Sequence, residues 1–408
     1  MERSLHVRSV ADTLKDNDRR PEDAPMPEPS QIKQPLKVIV AGAGVAGLEC
    51  AFALHELAGE RVAVTLIAPG QEFVYRPLAI GEPFSSSWAE RYPLGPLAEA
   101  AGAALVRDSV VSVDPARRVV RTSSGAEMAY DALMLGLGAS LQPYSEHATN
   151  IDDAHMDDLL HGLVQDIEGG YTQRLAIVIP GPMPWPFPAY ELALMASARA
   201  WDTQTDLDVT LLTPERAPLE VFGSAASTAV AELLAGRRIE VVTSAYCEIP
   251  RAGIVVVHPG GRTVTADRVV AFPQLVGREI GGLPSDGGGF IPVDAYARVR
   301  DVERVWAAGD GTDHPIKQGG VAAQLADTAA QGIAALAGVP IDVRVSEPIV
   351  EGVLMTGGTA RYLRGGPGAD GESVFAELTQ NAAPPKIAAR YLGPHLSGRV
   401  RAGIGSVS

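Results

Sequence analysis

The stretch Lys37–Leu54, KVIVAGAGVAGLECAFAL, constrains this 408-residue chain more than any other. Lys37 to Ala41 read as a short buried strand, and from Val45 onward the texture is that of a small-residue, apolar helix. Between them Gly42, Gly44 and Gly47 form G-x-G-x-x-G. Gly42 permits the tight turn, Gly44 lets a pyrophosphate approach the backbone, and Gly47 lets the helix pack closely on the strand. The helix N-terminus, with Val45 and Ala46 in its first turn, offers free N–H groups and a partial positive charge. Glycine-rich turns are common, so the motif gains weight only from its setting between strand and helix. That setting predicts a dinucleotide site.

The length suggests two or three domains. Alanine, valine, leucine and glycine dominate and aromatics are few, which suits buried parallel sheets covered by helices. A net charge of −15 argues against nucleic acid as a partner. It also disfavours general attraction to anionic membranes. The two cysteines, Cys50 and Cys247, make no disulfide framework and no C-x-x-C pair, and Cys50 is expected as a small core residue. No metal-ligand motif stands out. No run of 18 apolar residues and no secretory leader is visible, so a cytoplasmic protein is expected.

Residues 1–35 mix both charges with five prolines and read as a flexible tail. Arg61–Ala68 is the next strand of a βαβ unit. An acidic residue usually ends this strand and binds the adenosine ribose. Ala68 stands there instead, with Glu72 the first carboxylate beyond it. Arg76, in the following FVYRPL, reads either as a phosphate or flavin partner or as a surface cation. Ala104–Val113 and Val119–Thr122 are expected as strands, with Gly125 in a hairpin turn. Tyr130–Ala139, YDALMLGLGA, is a buried strand running into a turn at Gly138.

A second βαβ series starts near Arg174, with strands at RLAIVIP, Leu207–Thr213 and Ile239–Ser244 and helices at Ala189–Ala200 and Ala225–Ala235. Its first loop, PGPMPWPFP, carries proline at 180, 182, 184, 186 and 188. Each proline removes one of the N–H donors that a pyrophosphate-binding loop uses. Pro188 suits the first position of a helix, so the loop reads as a rigid connection. Equally, Trp185 and Phe187 read as a cover for a flat ligand, with Glu191 near the helix start. Glu215, closing LLTPE, is either a ribose contact or a solvated turn carboxylate. Val264–Pro273 returns as a strand. Val302–Asp310, VERVWAAGD, then places Gly309 and the carboxylate of Asp310 at a strand's C-terminal edge, where open α/β sheets bind ligands. A helix is expected to begin near Gly319–Gly320 and to point its N-terminus at whatever Asp310 binds.

Together, GAGVAGLE and VWAAGDGTDHPIKQGGVAAQLAD resemble the two-dinucleotide-binding-domain flavoproteins of the pyridine nucleotide-disulfide reductase superfamily. YDALMLGLGA is similar to that family's YD-x-L-x-x-A-T-G stretch, with Leu137 in place of threonine. Within the family, the chain looks most like the sulfide:quinone oxidoreductase, flavocytochrome c sulfide dehydrogenase and type II NADH dehydrogenase branch. The resemblance covers about residues 36–345. It implies an α/β fold of two Rossmann-like domains plus a small C-terminal cap. The FAD domain would be discontinuous, 36–150 and 270–345, with the second domain at 151–269 and the cap at 346–408. It further implies non-covalent FAD, with Gly42, Gly44 and Gly47 on the pyrophosphate and Asp310 on the ribityl chain. Lys317, Gln318 and Gly319 would lie beside the isoalloxazine, where Lys317 would stabilise charge on the reduced ring, and Gln324 would lie near an acceptor site.

Against the branch's sulfide enzymes stands the lack of cysteine near the expected flavin, because sulfur transfer needs a thiolate there. Pro188-Ala189-Tyr190-Glu191 is similar to the family's A-P-Y-E helix start, but without the cysteine before it. The expected activity is therefore two-electron transfer from a small donor, NAD(P)H among the candidates, to a quinone or other small acceptor. A sulfide:quinone enzyme with an atypical site and a non-catalytic flavin-binding module are the alternatives. Pro384–Ser408 carries Lys386, Arg390, Arg399 and Arg401 among apolar residues, and a helix packed on its own domain is favoured there over peripheral contact with the inner face of a membrane. A homodimer is left open.

Overall fold

The computed structural model describes residues 34–152, 155–181, 183–345, 347–369, 371–378 and 385–400. The expected tail up to residue 33, Pro182 and Arg401 lie outside these residues, as does the chain after Val400.

The first unit runs β1 (Leu36–Ala41), α1 (Val45–Ala58), β2 (Val62–Ile67), β3 (Ala104–Val106) and β4 (Ala132–Leu135). A connecting strand β5 (Ser140–Gln142) leads to β6 (Thr149–Asn150), α2 (Met156–Glu168), β7 (Arg174–Val178), α3 (Phe187–Asp202), β8 (Asp208–Leu212), α4 (Ser224–Gly236), β9 (Ile239–Val242) and β10 (Arg268–Ala271). The chain returns through β11 (Gln274–Val276) to β12 (Val305–Ala307) and the long helix α5 (Gly319–Leu336). It finishes with β13 (Val350–Leu354), β14 (Arg361–Gly365), β15 (Val374–Glu377) and α6 (Gly393–Val400).

Two five-stranded parallel sheets result, in the orders β12-β4-β1-β2-β3 and β6-β10-β7-β8-β9. In the first, β1 is central: Val38 pairs with Val64 on one side and Ala132 on the other. All four residues of β4 are buried, as a strand covered on both faces requires. The first sheet is closed by β12, with Val305 opposite Leu133, although the two lie on either side of the whole second unit. Helices α1 and α5 pack against each other, and their alanines allow close approach. The antiparallel pair β5–β11 joins the two units, with Leu141 opposite Leu275. Strands β13, β14 and β15 form an antiparallel sheet of their own.

Several local expectations change. The stretch expected as one strand at 104–113 is broken into Ala104–Val106 and Val110–Asp114, because Asp108 turns the chain by bonding the N–H of Ser109. Likewise 264–273 divides between Arg262–Thr265 and Arg268–Ala271, which belong to different sheets. Helix α3 starts at Phe187, one residue ahead of Pro188. FVYRPL is a strand, Glu72–Tyr75, followed by a 3-10 segment, Arg76–Phe84. Strand pairing also puts Thr149–Asn150 and all of Arg268–Ala271 in the second sheet, so the chain changes sheets just before 150 and just after 270.

Candidate active site

The glycine turn does three separable jobs. Gly42 has φ +100°, and a Cβ there would lie 2.2 Å from the carbonyl oxygen of Gly136 on the neighbouring strand's exit. A Cβ on Gly47 would stand 1.8 Å from the Gly42 carbonyl oxygen. Both glycines are thus demanded by the protein's own packing. A Cβ on Gly44 would meet nothing within 4 Å. Gly44 is the N-cap of α1, no side chain caps that helix, and no acidic residue sits in its first turn. Gly44, Val45 and Ala46 instead line a cavity of about 540 Å³. An uncapped helix start with an open Cβ direction is a cradle for a phosphate group.

From this cradle the cavity runs past Ala68 and Glu72 at the β2 end, and past Arg76, Gly138, Gly309 and Asp310, to Lys317, Gln318 and Gly319 at the start of α5. Every residue expected to touch the cofactor lines it except Gly47, which lies beneath the turn. Asp310 follows β12, so the closing strand of the first sheet delivers a carboxylate to the same space as the glycine turn.

Lys317 is buried. Its Nζ donates to the carbonyl oxygen of Thr312 and sits 4.0 Å from the centre of the Phe290 ring. Burial pulls its pKa down to about 8, against the opposing pull of Asp310, Asp313 and Asp286. Gln318 is engaged differently from the expectation. Its Oε1 accepts the N–H of Val321 at 2.9 Å, capping α5, and its Nε2 donates to the Glu351 carbonyl oxygen at 3.2 Å. Gln318 lines the ligand space, and its side chain also fixes the helix start. Gln324 does not line the cavity: it bonds both the N–H and the carbonyl oxygen of Ile349, holding the approach to β13.

Further lining comes from the second unit and the C-terminal sheet. Trp185 and Phe187 stack, with ring centres 5.1 Å apart and planes 13° from parallel, and Phe222 backs both rings. Both line the cavity, as do Pro188 and Glu191. The described end of the loop thus places two stacked aromatic rings at the cavity. Glu191 is buried and joined to Lys386 by an ion pair of 2.6 Å; its Oε1 also accepts the N–H of Met355. Glu215 is half-buried, does not line the cavity, and is bonded within its own unit. Tyr190 Oη donates to it at 2.6 Å and Thr213 Oγ1 at 2.8 Å, and burial raises its pKa to about 7.

Neither cysteine reaches this space. Cys50 is buried in α1 and Cys247 in the strand Tyr246–Arg251, and burial pushes both thiols up, away from thiolate character. Lys386, Ile387, Gly352 and Val353 also line the cavity and were not expected there. A buried lysine needs a partner, but Glu191 lies 195 residues away, and sequence spacing gives no sign of that pairing.

Two parallel sheets, one inserted into the other, with a glycine cradle and a strand-end carboxylate in one cavity, define a two-domain dinucleotide-binding protein. The chain belongs to the pyridine nucleotide-disulphide oxidoreductase family, which matches residues 36–332. Its proteins bind FAD, and the open Gly44 cradle, the uncapped α1 and Asp310 fit that group.

Among relatives, the sulfide-quinone reductase of Aquifex aeolicus is 29% identical over 170 residues, 39% of this chain and 38% of that protein. The match therefore spans well under half of the relative. An NADH dehydrogenase-like protein of Mycobacterium tuberculosis is 27% identical over 290 residues, 67% of this chain and 72% of that protein. In three dimensions, the crystal structure of the A. aeolicus sulfide:quinone oxidoreductase gives a TM-score of 0.76 at 20% identity, covering 90% of this chain and 92% of that one. That likeness is one of fold.

Proposed function

We propose that the protein is an FAD-dependent oxidoreductase that takes two electrons from a small reduced donor and passes them to a quinone or another small flat acceptor. The observation that carries this reading is the single cavity lined by the Trp185–Phe187 stack, the Glu191–Lys386 pair, the glycine cradle and Lys317 together. Bound FAD supplies the redox chemistry. The chain's own residues do the rest. The α1 N-terminus holds the pyrophosphate, and Asp310 holds a hydroxylated chain. Lys317 places a cation where negative charge develops. The apolar rings exclude water and accept a planar molecule, while the ion pair offers a proton donor and an acceptor.

NAD(P)H is the donor to test first, since hydride transfer needs no cysteine. Against it stand the proline-rich loop and the Glu215 carboxylate, which is bonded to Tyr190 and Thr213 and lies outside the cavity lining. Sulfide is the second reading, supported by the relatives' names and opposed by the position of both thiols. A cytoplasmic location is proposed with it; among the described residues, no helix is long and apolar enough to cross a membrane. Anaerobic mixing of the FAD-loaded protein with NADH, NADPH and sulfide, followed in the visible spectrum, decides the donor. Bleaching by a nicotinamide supports the first reading and bleaching by sulfide the second. Bound FAD that no donor reduces would point to a non-catalytic flavin-binding module, and failure to bind FAD at all would overturn every version.

A further inference from the structure

A fold of this kind usually ends β2 on the carboxylate that binds the adenosine ribose, and here Ala68 stands in that place. Its surroundings still suit the task. The N–H of Gly42 donates to the Ile67 carbonyl oxygen at 2.8 Å, which ties the end of β2 to the glycine turn. Ala68, Pro69 and Gly70 line the same cavity as Gly44. A methyl group, however, accepts no hydrogen bond from a sugar hydroxyl.

Among the described residues, three carboxylates line the cavity: Glu72, Glu191 and Asp310. Asp310 follows β12, which lies on the other side of β1 from β2. Glu191 is joined to Lys386. Glu72 alone belongs to the segment that leaves β2.

That segment is pinned at three points. The N–H of Ala68 donates to the Val106 carbonyl oxygen at 3.0 Å, and the N–H of Leu94 donates to the Gln71 carbonyl oxygen at 2.9 Å. Between them, the Arg107 guanidinium donates to the carbonyl oxygen of Gly70. Glu72 therefore starts the strand Glu72–Tyr75 from a fixed base. Its bland explanation is the ion pair with Arg91 on the adjoining strand. That pair is 3.6 Å long, beyond hydrogen-bond distance, and its side chains are 44% and 58% exposed. Such a pair contributes little, so it does not account for a carboxylate at this point of the cavity.

We propose that Glu72 replaces the missing strand-end carboxylate: it accepts the 2′- and 3′-hydroxyls of the FAD adenosine, and so selects FAD over FMN. This inference rests on FAD as the occupant of the cavity and deepens it. A carboxylate offers two acceptor oxygens, which matches two neighbouring hydroxyl donors. FMN has no adenosine and gains nothing from the contact.

The test strips the protein of its cofactor and titrates it with three flavins, followed by fluorescence. They are FAD, FMN, and an FAD whose adenosine lacks the 2′-hydroxyl. Glu72→Ala is expected to weaken FAD binding by about tenfold or more, the worth of hydrogen bonds to a charged group, and to leave FMN binding unchanged. The deoxy analogue should bind the unmodified protein more weakly than FAD does, and bind Glu72→Ala as well as FAD does. Only a direct contact gives that non-additivity. Thermal unfolding of the apo-protein should not move, because Glu72 is exposed. Equal FAD affinity with and without the Glu72 carboxylate would overturn the proposal and leave FAD in place. So would an equal loss for FMN, or a deoxy penalty that persists in Glu72→Ala. An unmodified protein that binds no FAD would overturn the cofactor reading and this inference with it.

Discussion

Nζ of Lys386 stands 2.6 Å from Oε1 of Glu191, with the two side chains 7% and 2% exposed. This pair ties the end of the chain to the start of α3, at the cavity wall. Lys386 also donates to the Pro77 carbonyl oxygen at 2.9 Å, so one ammonium holds three parts of the fold together.

Removing one partner leaves a buried charge alone, which costs about 3–5 kcal/mol. Burial already raises the Glu191 pKa against the pull of Lys386, so the carboxylate depends on that neighbour. Glu191→Ala is expected to lower the denaturation midpoint steeply, and the double variant Glu191→Met with Lys386→Met to recover most of the loss. Equal losses in single and double variants would show that the pair is not what matters.

Gly44 and Gly47 separate binding from folding. Gly44→Ala fills open space, so the apo-protein is expected to keep its stability within about 0.5 kcal/mol. Its FAD affinity should drop by about tenfold or more, because the new methyl occupies the cradle. Gly47→Ala drives a methyl into the Gly42 carbonyl and should destabilise the apo-protein by about 1–3 kcal/mol. FAD titration alongside thermal unfolding of the apo forms reads both effects.

Lys317 loses its charge above about pH 8. Flavin reduction is expected to slow as pH rises through that value, and Lys317→Met to be slower at pH 7 by about 10²-fold, with no such pH dependence. Stability moves the other way. The folded Lys317 binds its proton less tightly than the unfolded one, so between about 8 and 10.5 stability rises with pH. Stopped-flow reduction and pH-dependent melting of both proteins check the two signs.

The double variant Cys50→Ala, Cys247→Ala removes both thiols from sites outside the cavity. Turnover with the identified donor should stay within about twofold, at a stability cost of about 1 kcal/mol per buried sulfur. Loss of turnover without loss of folding would restore a thiol mechanism.

Much of this architecture was legible from local signals. G-x-G-x-x-G between a strand and a helix is a local pattern, so its fold could be read directly. The alternation of strands and helices gave both parallel sheets, because each element carries its own periodicity. The break at Arg107-Asp108-Ser109 carries polar residues that mark a turn, but the apolar residues on either side read as one strand. Gln318 and Glu215 show the other limit. Each stands where a ligand contact is plausible, and each is satisfied instead by protein groups that only folding brings near.

The sequence made the cradle legible: Gly42, Gly44 and Gly47 stand between a strand and a helix, although Gly42 is also required by the close approach of Gly136. Tertiary structure alone decided what faces that cradle. Lys386 meets Glu191 across 195 residues, and Glu49 meets the N–H groups of Tyr391 and Leu392 across 342 and 343. A charge taken out of water must find its partner in space, and no spacing along the chain records where that partner will be.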